Sequence, residues 1–326
     1  MAGYERTFMK VFLLLLTFWS AYAAAQSNYP DKPVRLVVGF AAGGISDVFG
    51  RAIAIPLSKQ LGQQVIVENK PGAGTTIAGD FTVRAAPDGY TLWLQDITTH
   101  AINANLYAKL PYDTVKDFSY VAMVASSPLM LVVHPSTRAS NVRELIALLK
   151  ASPGKYSYGS SGNGTIVHLA SEMLKSSAGV DALHVPYKGS NPATAAILGG
   201  EVTFVFSTMP PAVSNMKSGK LRPLAVTTPK RSGAASDVPT MIEAGLPGFE
   251  IVLYSGVLAP KGMDRALVRR LNGEFARAVQ SADMRPVLQN IGVDAITMSP
   301  EEFEAATVKE IAKLAPVVKA SGAKVD

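Results

Sequence analysis

After position 33 the apolar residues come in two rhythms, short continuous runs and longer stretches that recur at helical spacing. Strands alternating with amphipathic helices predict an α/β architecture with mainly parallel sheets. Val34-Arg35-Leu36-Val37-Val38 reads as a buried first strand, followed by Phe40-Ala41-Ala42-Gly43-Gly44 and a helix over about 46–61. Residues 64–68 form a second strand, and the glycine-rich Pro71-Gly72-Ala73-Gly74 leads to a helix near 76–85. Pro87-Asp88-Gly89 is a turn by residue chemistry alone, and 91–94 is the third strand, completing a βαβαβ unit.

The rhythm restarts near Ser127-Pro128. Residues 129–134 read as a strand, 141–150 as a helix capped by Ser140 or Asn141, and Ser157-Tyr158-Gly159 as a strand end before a loop and a helix over 165–178. Strands at 183–185, 202–206 and 221–227 follow, and Pro- and Gly-rich turns cluster over 239–248. Residues 251–258 then read as a strand returning to the first unit, with helices over 264–281 and 300–320 and the segment 283–291 between them. Two strands therefore cross the waist, which makes a hinge that permits closure around a ligand. The expected organisation is a signal peptide (1–25), a discontinuous lobe 1 (26–126 and 252–326) and lobe 2 (127–251).

The N-terminus supplies the address. Arg6 and Lys10 precede an apolar run, residues 11–19, which leads into Ala21-Tyr22-Ala23-Ala24-Ala25-Gln26. That order describes a secretory signal peptide cut near Ala25-Gln26. The run is short for a membrane span, which needs about 20 apolar residues. The expected product is a soluble protein in the periplasm.

Composition narrows the partners. The 326 residues suffice for two domains, and 48% apolar with 17% charged residues excludes a disordered chain. Cysteine is absent, which excludes disulfides, a lipid-modified cysteine and thiolate metal sites. The formal net charge is +6, and removing Glu5, Arg6 and Lys10 with the leader leaves +5. This surplus is scattered, so it either steers anions toward a cleft or is ordinary solvated surface. With no basic stripe and no reading helix, nucleic acid is not an expected partner.

Two loops share one physical design. Gly39-Phe40-Ala41-Ala42-Gly43-Gly44-Ile45-Ser46-Asp47 and Gly159-Ser160-Ser161-Gly162-Asn163-Gly164-Thr165 each join a strand to a helix. Backbone N–H groups at a helix start lack internal partners and carry the positive end of the helix dipole. Glycines let that backbone approach a ligand, so a bound carboxylate or phosphate is the physical expectation. The competing explanation is that the glycines merely allow tight turns. One such loop per lobe, each at a strand's C-terminal end, favours binding. Neither loop fits a nucleotide fingerprint: the phosphate-loop pattern is absent, and Gly72-Ala73-Gly74 lacks the third glycine. No cofactor and no metal are expected.

Asp47, at a helix head, either stabilises the first turn or serves as a base. His100, His134, His168 and His184 show no metal-ligand spacing, and the Gly-x-Ser-x-Gly elbow is missing. His168, one turn into the helix after the second loop, points at a ligand or packs locally. His100, in Thr98-Thr99-His100 just after the third strand, is expected to face the cleft.

An ordered set of motifs now becomes recognisable. It runs through Tyr29-Pro30-Asp31-Lys32-Pro33-Val34-Arg35, Gly43-Gly44-x-x-Asp47, Val67-Glu68-Asn69-Lys70-Pro71-Gly72-Ala73-Gly74 and Ala86-Pro87-Asp88-Gly89-Tyr90. It continues with Leu106-Tyr107-x-Lys109-Leu110-Pro111-Tyr112-Asp113, Gly159-Ser160-Ser161-Gly162-x-Gly164-Thr165-x-x-His168-Leu169, His184-Val185-Pro186-Tyr187-Lys188-Gly189 and Leu246-Pro247-Gly248-Phe249-Glu250. This set resembles the Bug/TctC family, the periplasmic receptors of tripartite tricarboxylate transporters, over nearly all of the chain after the leader. The resemblance implies a two-lobed periplasmic-binding-protein (Venus flytrap) fold, with mainly parallel sheets flanked by helices and two crossover strands at the hinge. It also implies a monomer that captures a di- or tricarboxylate, or an aromatic carboxylate, and delivers it to the membrane components of the transporter. By that likeness Phe40, Ala42, Gly43, Gly44 and Asp47, with Ser160, Ser161, Gly162, Asn163, Gly164, Thr165 and His168, hold the carboxylate. Thr98, Thr99, His100 and Ser207 would meet the variable end of the ligand. The family's first loop usually has prolines where this chain has Ala41-Ala42, so its hold is expected to be less preorganised.

The alternative is an exported hydrolase or isomerase acting on a small organic acid, with Asp47 or His168 as base. It needs an acid/base pair or nucleophile within reach, and no spacing proposes one. The expected protein is not an enzyme.

Overall fold

In a computed structural model, residues 29–323 and 325 are described; the expected leader and its cleavage point lie outside the described residues. The apolar run Val34–Val38 forms β1, and its inward side chains are fully buried. The chain turns at Gly43-Gly44 into α1, Ile45–Leu61, whose buried face carries Phe49, Ile53, Leu57 and Leu61 one turn apart. The helix ends where Gly62 adopts a left-handed conformation, open to glycine at little cost. β2 (Val65–Asn69), α2 (Thr76–Val83), β3 (Thr91–Asp96) and α3 (Ile97–Leu106) follow, then β4 (Phe118–Ser127).

Only Pro128 separates β4 from β5, Leu129–Val133. Next come α4 (Val142–Ala151), β6 (Ser157–Ser160), α5 (Ile166–Ala178), β7 (Leu183–Pro186), α6 (Ser190–Leu198), β8 (Phe204–Thr208), α7 (Met209–Lys217) and β9 (Arg222–Val226). β10 (Leu253–Pro260) returns, followed by α8 (Arg265–Gln280), α9 (Met284–Ile291), β11 (Asp294–Ala295) and α10 (Pro300–Ser321).

The strands form two sheets, ordered β11-β4-β10-β3-β1-β2 and β7-β6-β8-β5-β9. Each has a parallel trio, β2-β1-β3 or β7-β6-β8, extended by antiparallel strands that carry the chain between lobes. The two crossings touch: Leu253 pairs with Ser127, and Thr227 Oγ1 accepts from Leu129 N at 2.9 Å. Adjacent crossings form a hinge with few torsions to move, and the two-lobed fold expected from the sequence is present; the sheets, expected to be mainly parallel, are mixed, because the strands that carry the chain across and back run antiparallel to their neighbours. The last helices do not stay with the first sheet: α10 also packs on α5, and α9 on α7.

Several elements escaped the pattern. α3 is buried on nearly every side over its first two turns, so it shows no polar stripe, and its Thr and Asn residues are poor helix formers. β4 carries Ala, Met and Ser, residues with little strand preference, yet is buried almost throughout. α7 opens with Met209-Pro210-Pro211, and a proline in the first turn costs no hydrogen bond.

Candidate functional site

The junctions that follow the strands converge between the lobes. A small cavity of about 10 Å3 is lined on one side by Phe40, Gly44, Ile45, Ser46, Asp96 and Leu253. Ser161, Ile166, Val167, Ser190 and Thr208 line the other side. These positions lie at the starts of five helices: α1 after Gly44, α3 after Asp96, α5 at Ile166, α6 at Ser190 and α7 after Thr208. Helix starts present unpaired N–H groups and the positive dipole end. In α1, α6 and α7 no side chain caps the first turn. Ser46 Oγ and Thr208 Oγ1, both buried, lack a hydrogen-bond partner. No Lys, Arg or His lines this space. The wall is thus rich in neutral donors and suits an anion.

The first loop is built by its own acid. Asp47 accepts from Gly43 N at 3.0 Å and from Arg51 Nε at 2.9 Å. Burial alone would raise this carboxyl, but those bonds outweigh it and hold it below the usual range. The Gly43 amide is therefore occupied, and Asp47 lies behind the cavity wall. Gly43 has φ +88°, and a Cβ there would sit 2.6 Å from Asn191 Nδ2 of the other lobe. Ala41 N donates to Lys188 O at 3.0 Å across the cleft, so the lobes stand closed on each other. Ala42 is exposed at the rim.

The second loop is equally organised. Thr165 caps α5, accepting from His168 N and donating to Gly162 O at 2.8 Å. Ser161 Oγ donates to Thr165 Oγ1 at 3.0 Å. Ser160 Oγ bonds His184 Nε2 at 2.6 Å and accepts from Gly162 N, one layer behind the cavity. His168 accepts from Gly164 N at 3.3 Å, and its ring stacks on His184 with centroids 4.1 Å apart. Burial, reinforced for His184 by its neighbour, depresses both imidazoles, His168 to about 4 and His184 to about 3. Both are therefore neutral supports at neutral pH. Gly162 and Asn163 edge a second, open pocket with Gly72–Thr75, Tyr107 and Lys188. A Cβ on Gly164 would meet Asn103 Oδ1.

Of the sixteen expected site residues, Phe40, Gly44 and Ser161 line the cavity. Thr99 touches both lobes: its hydroxyl accepts from Ile166 N at 3.0 Å and donates to Asp96 Oδ2 at 2.5 Å. Three expectations for the ligand's variable end are corrected. His100 does not face the cleft; its fully buried ring lies among Trp93, Tyr112 and Phe118, and Nε2–H donates to Thr114 O at 2.7 Å. Burial pushes it down to about 4. Thr98 donates to Val252 O at the hinge, at 2.7 Å. Ser207 lies beneath the wall, bonded to Thr194 and Ser190 at 2.9 and 3.3 Å. The sequence reading missed Ser46, Asp96, Ser190 and Thr208 as lining residues. Their signal was position: each stands within two residues of a helix start, where small polar residues usually read as caps.

Asp96 is the one ionisable group of the wall. It is 1% exposed, and its carboxylate accepts from Thr98 N at 3.0 Å, Thr99 N at 3.1 Å and the Thr99 hydroxyl. Burial pushes it up to about 7 despite these bonds. A larger groove, lined by Ser232–Ala234 and residues of the 279–295 stretch, shares no residue with the interlobe cavity. Among the described residues no cluster of His, Asp or Glu could hold a metal ion, and no helix is long and apolar enough to cross a membrane.

Two lobes on a two-strand hinge, closed over a donor-lined cavity, define a solute-binding protein. Residues 49–323 match the tripartite tricarboxylate transporter family receptor, TctC, and the chain belongs to that family, whose members are periplasmic binding proteins. Among its relatives, protein BugT of Bordetella pertussis is 34% identical over 313 residues, covering 96% of each chain. An R. palustris protein solved with adipate superimposes with a TM-score of 0.88 at 34% identity, covering 91% of this chain and 100% of that one. MatC from Rhodopseudomonas palustris, solved with bound malate, gives 0.83 at 31% identity over 89% of this chain and 100% of the other.

Proposed function

We propose that this chain is exported to the periplasm and captures a small carboxylate-bearing metabolite between lobe 1 (26–126 and 252–326) and lobe 2 (127–251). In this reading it works as a monomer, passes the ligand unchanged to the membrane components of a tripartite transporter, and catalyses nothing. The observation that carries this is the convergence of five helix starts on one cavity with no basic side chain in its wall. Main-chain donors held by the fold bind an anion without reorganising. The ligands of the adipate- and malate-bound neighbours support the carboxylate class, and the charged, apolar, small-residue order of residues 6–26 supports export.

The enzyme reading finds little support in the wall. Asp96 is its one titratable group, and the hydroxyls of Ser46 and Thr208 have no base beside them, whereas nucleophilic catalysis needs one. The test is a thermal-shift and calorimetry screen of the mature protein against mono-, di- and aromatic carboxylates, with the compound recovered and examined by NMR. A ligand at about 100 times its Kd stabilises by roughly 2.7 kcal/mol and comes back intact. Consumption of the compound, or no response to any carboxylate, overturns the proposal.

A further inference from the structure

Asp96 is out of place in a cavity built for acids. Around it the helix starts of α1, α5, α6 and α7 present donors, and two buried hydroxyls stand unpaired. Asp96 presents acceptors. Three donors already meet its oxygens from the α3 side, which favours the ionised form against the stronger upward push of burial, and no Lys, Arg or His in the wall balances the charge. A carboxylate has about four acceptor positions; Oδ1 takes two donors and Oδ2 one, so capacity remains on Oδ2 of this lining residue. A ligand carboxylate brought against the ionised form would meet like charge in a water-poor space, where repulsion is strong. A ligand hydroxyl or ammonium would instead complete its shell.

We propose that Asp96 is a specificity-determining residue that selects acids bearing a hydrogen-bond donor, a hydroxyl or an ammonium, near the carboxylate held by the other helix starts. The cavity is then bipolar. Donors of α1, α6 and α7 grip the carboxylate, and Asp96 accepts from the substituent. This deepens the carboxylate-receptor reading and rests on it. It excludes as a preferred ligand any plain diacid whose second carboxylate must lie against α3.

The test is a matched series of four-carbon diacids, unsubstituted, 2-hydroxy and 2-amino, with the corresponding three-carbon monoacids, titrated calorimetrically into the mature protein. The wild type is expected to bind a substituted acid at least about tenfold more tightly than its unsubstituted parent, the worth of a charge-assisted hydrogen bond. A larger gain for the amino than the hydroxy acid identifies a cationic donor, and the reverse a neutral one. Asp96→Asn keeps the shape and the cap on α3 but turns an acceptor into a donor. In this variant the tenfold preference is expected to vanish while the unsubstituted acid binds as well or better. Asp96→Ser, also a competent cap, serves if the first variant is unstable, and should likewise erase the preference. Equal wild-type affinity for parent and substituted acids, or an equal loss for every ligand in both variants, overturns the assignment. If no acid of either kind binds, it is the carboxylate reading that fails.

Discussion

Gly43 offers a way to separate closure from folding. Its φ of +88° suits glycine, and a Cβ would lie 2.6 Å from Asn191 Nδ2 and 3.2 Å from Asn191 Cβ. In Gly43→Ala the strained dihedral costs about 1–2 kcal/mol. That strain is present whether the lobes are open or closed, so it lowers the melting temperature by a few degrees without shifting the open–closed balance. The clash with Asn191, which lies on the opposite lobe, exists only on closure. Pushing that side chain off its rotamer costs about 1 kcal/mol, which raises Kd about fivefold. Gly43→Val enlarges both effects. Adding Asn191→Ala removes the two nearest atoms, Nδ2 and Cγ, and leaves only Cβ at 3.2 Å, but it does not remove the strain. The double variant should recover most of the wild-type affinity in calorimetry while keeping the lowered melting temperature, a non-additive pattern expected of groups in contact. If Gly43→Ala binds as tightly as wild type, or if Asn191→Ala fails to restore binding, the two loops do not meet when the lobes close.

Three further predictions test the interior. Removing the unpaired hydroxyls in Ser46→Ala and Thr208→Ala should weaken binding by about 1 kcal/mol each and leave melting of the free protein unchanged or raised; unaltered titrations would remove these groups from the site. The imidazoles of His168 and His184 titrate near 4 and 3 in the folded protein against about 6.5 in the unfolded chain. The unfolded state therefore binds protons first on acidification. Their contribution is complete above pH 6.5 and is lost as the pH falls toward 4, about 3 kcal/mol for each ring; denaturant melts of wild type and His168→Asn should differ in this slope, and parallel slopes contradict it. His100→Phe, placed in the aromatic cluster with Trp93, Tyr112 and Phe118, should leave ligand affinity within twofold of wild type, a figure well inside 1.4 kcal/mol, and a loss of binding would return His100 to the cleft.

Much of this molecule is written in short-range pattern. The buried run Val34–Val38, the stripe Phe49-Ile53-Leu57-Leu61 and the glycines that end helices each depend on neighbours within a turn or two, so their periods and caps predict them. The return strand near residue 253 and the two-lobed organisation followed from the order of those elements. α3 and β4 were not legible, because burial on all sides erases the polar half of the pattern.

The cavity belongs to the tertiary structure. Its wall joins Phe40, Asp96, Ser161, Ser190, Thr208 and Leu253, residues of separate strand ends that share no local period. In the sequence Ser46, Asp96 and Thr208 are ordinary helix-start residues, and nothing in their neighbours says whether an oxygen is spent on the backbone or left facing a ligand. Thr98, Thr99 and His100 show the same limit within one turn: packing sends Thr98 to the hinge, Thr99 to the opposite lobe and His100 into the aromatic core. Local chemistry chose the donors and acceptors, while the packing of two sheets through one hinge decided which of them meet.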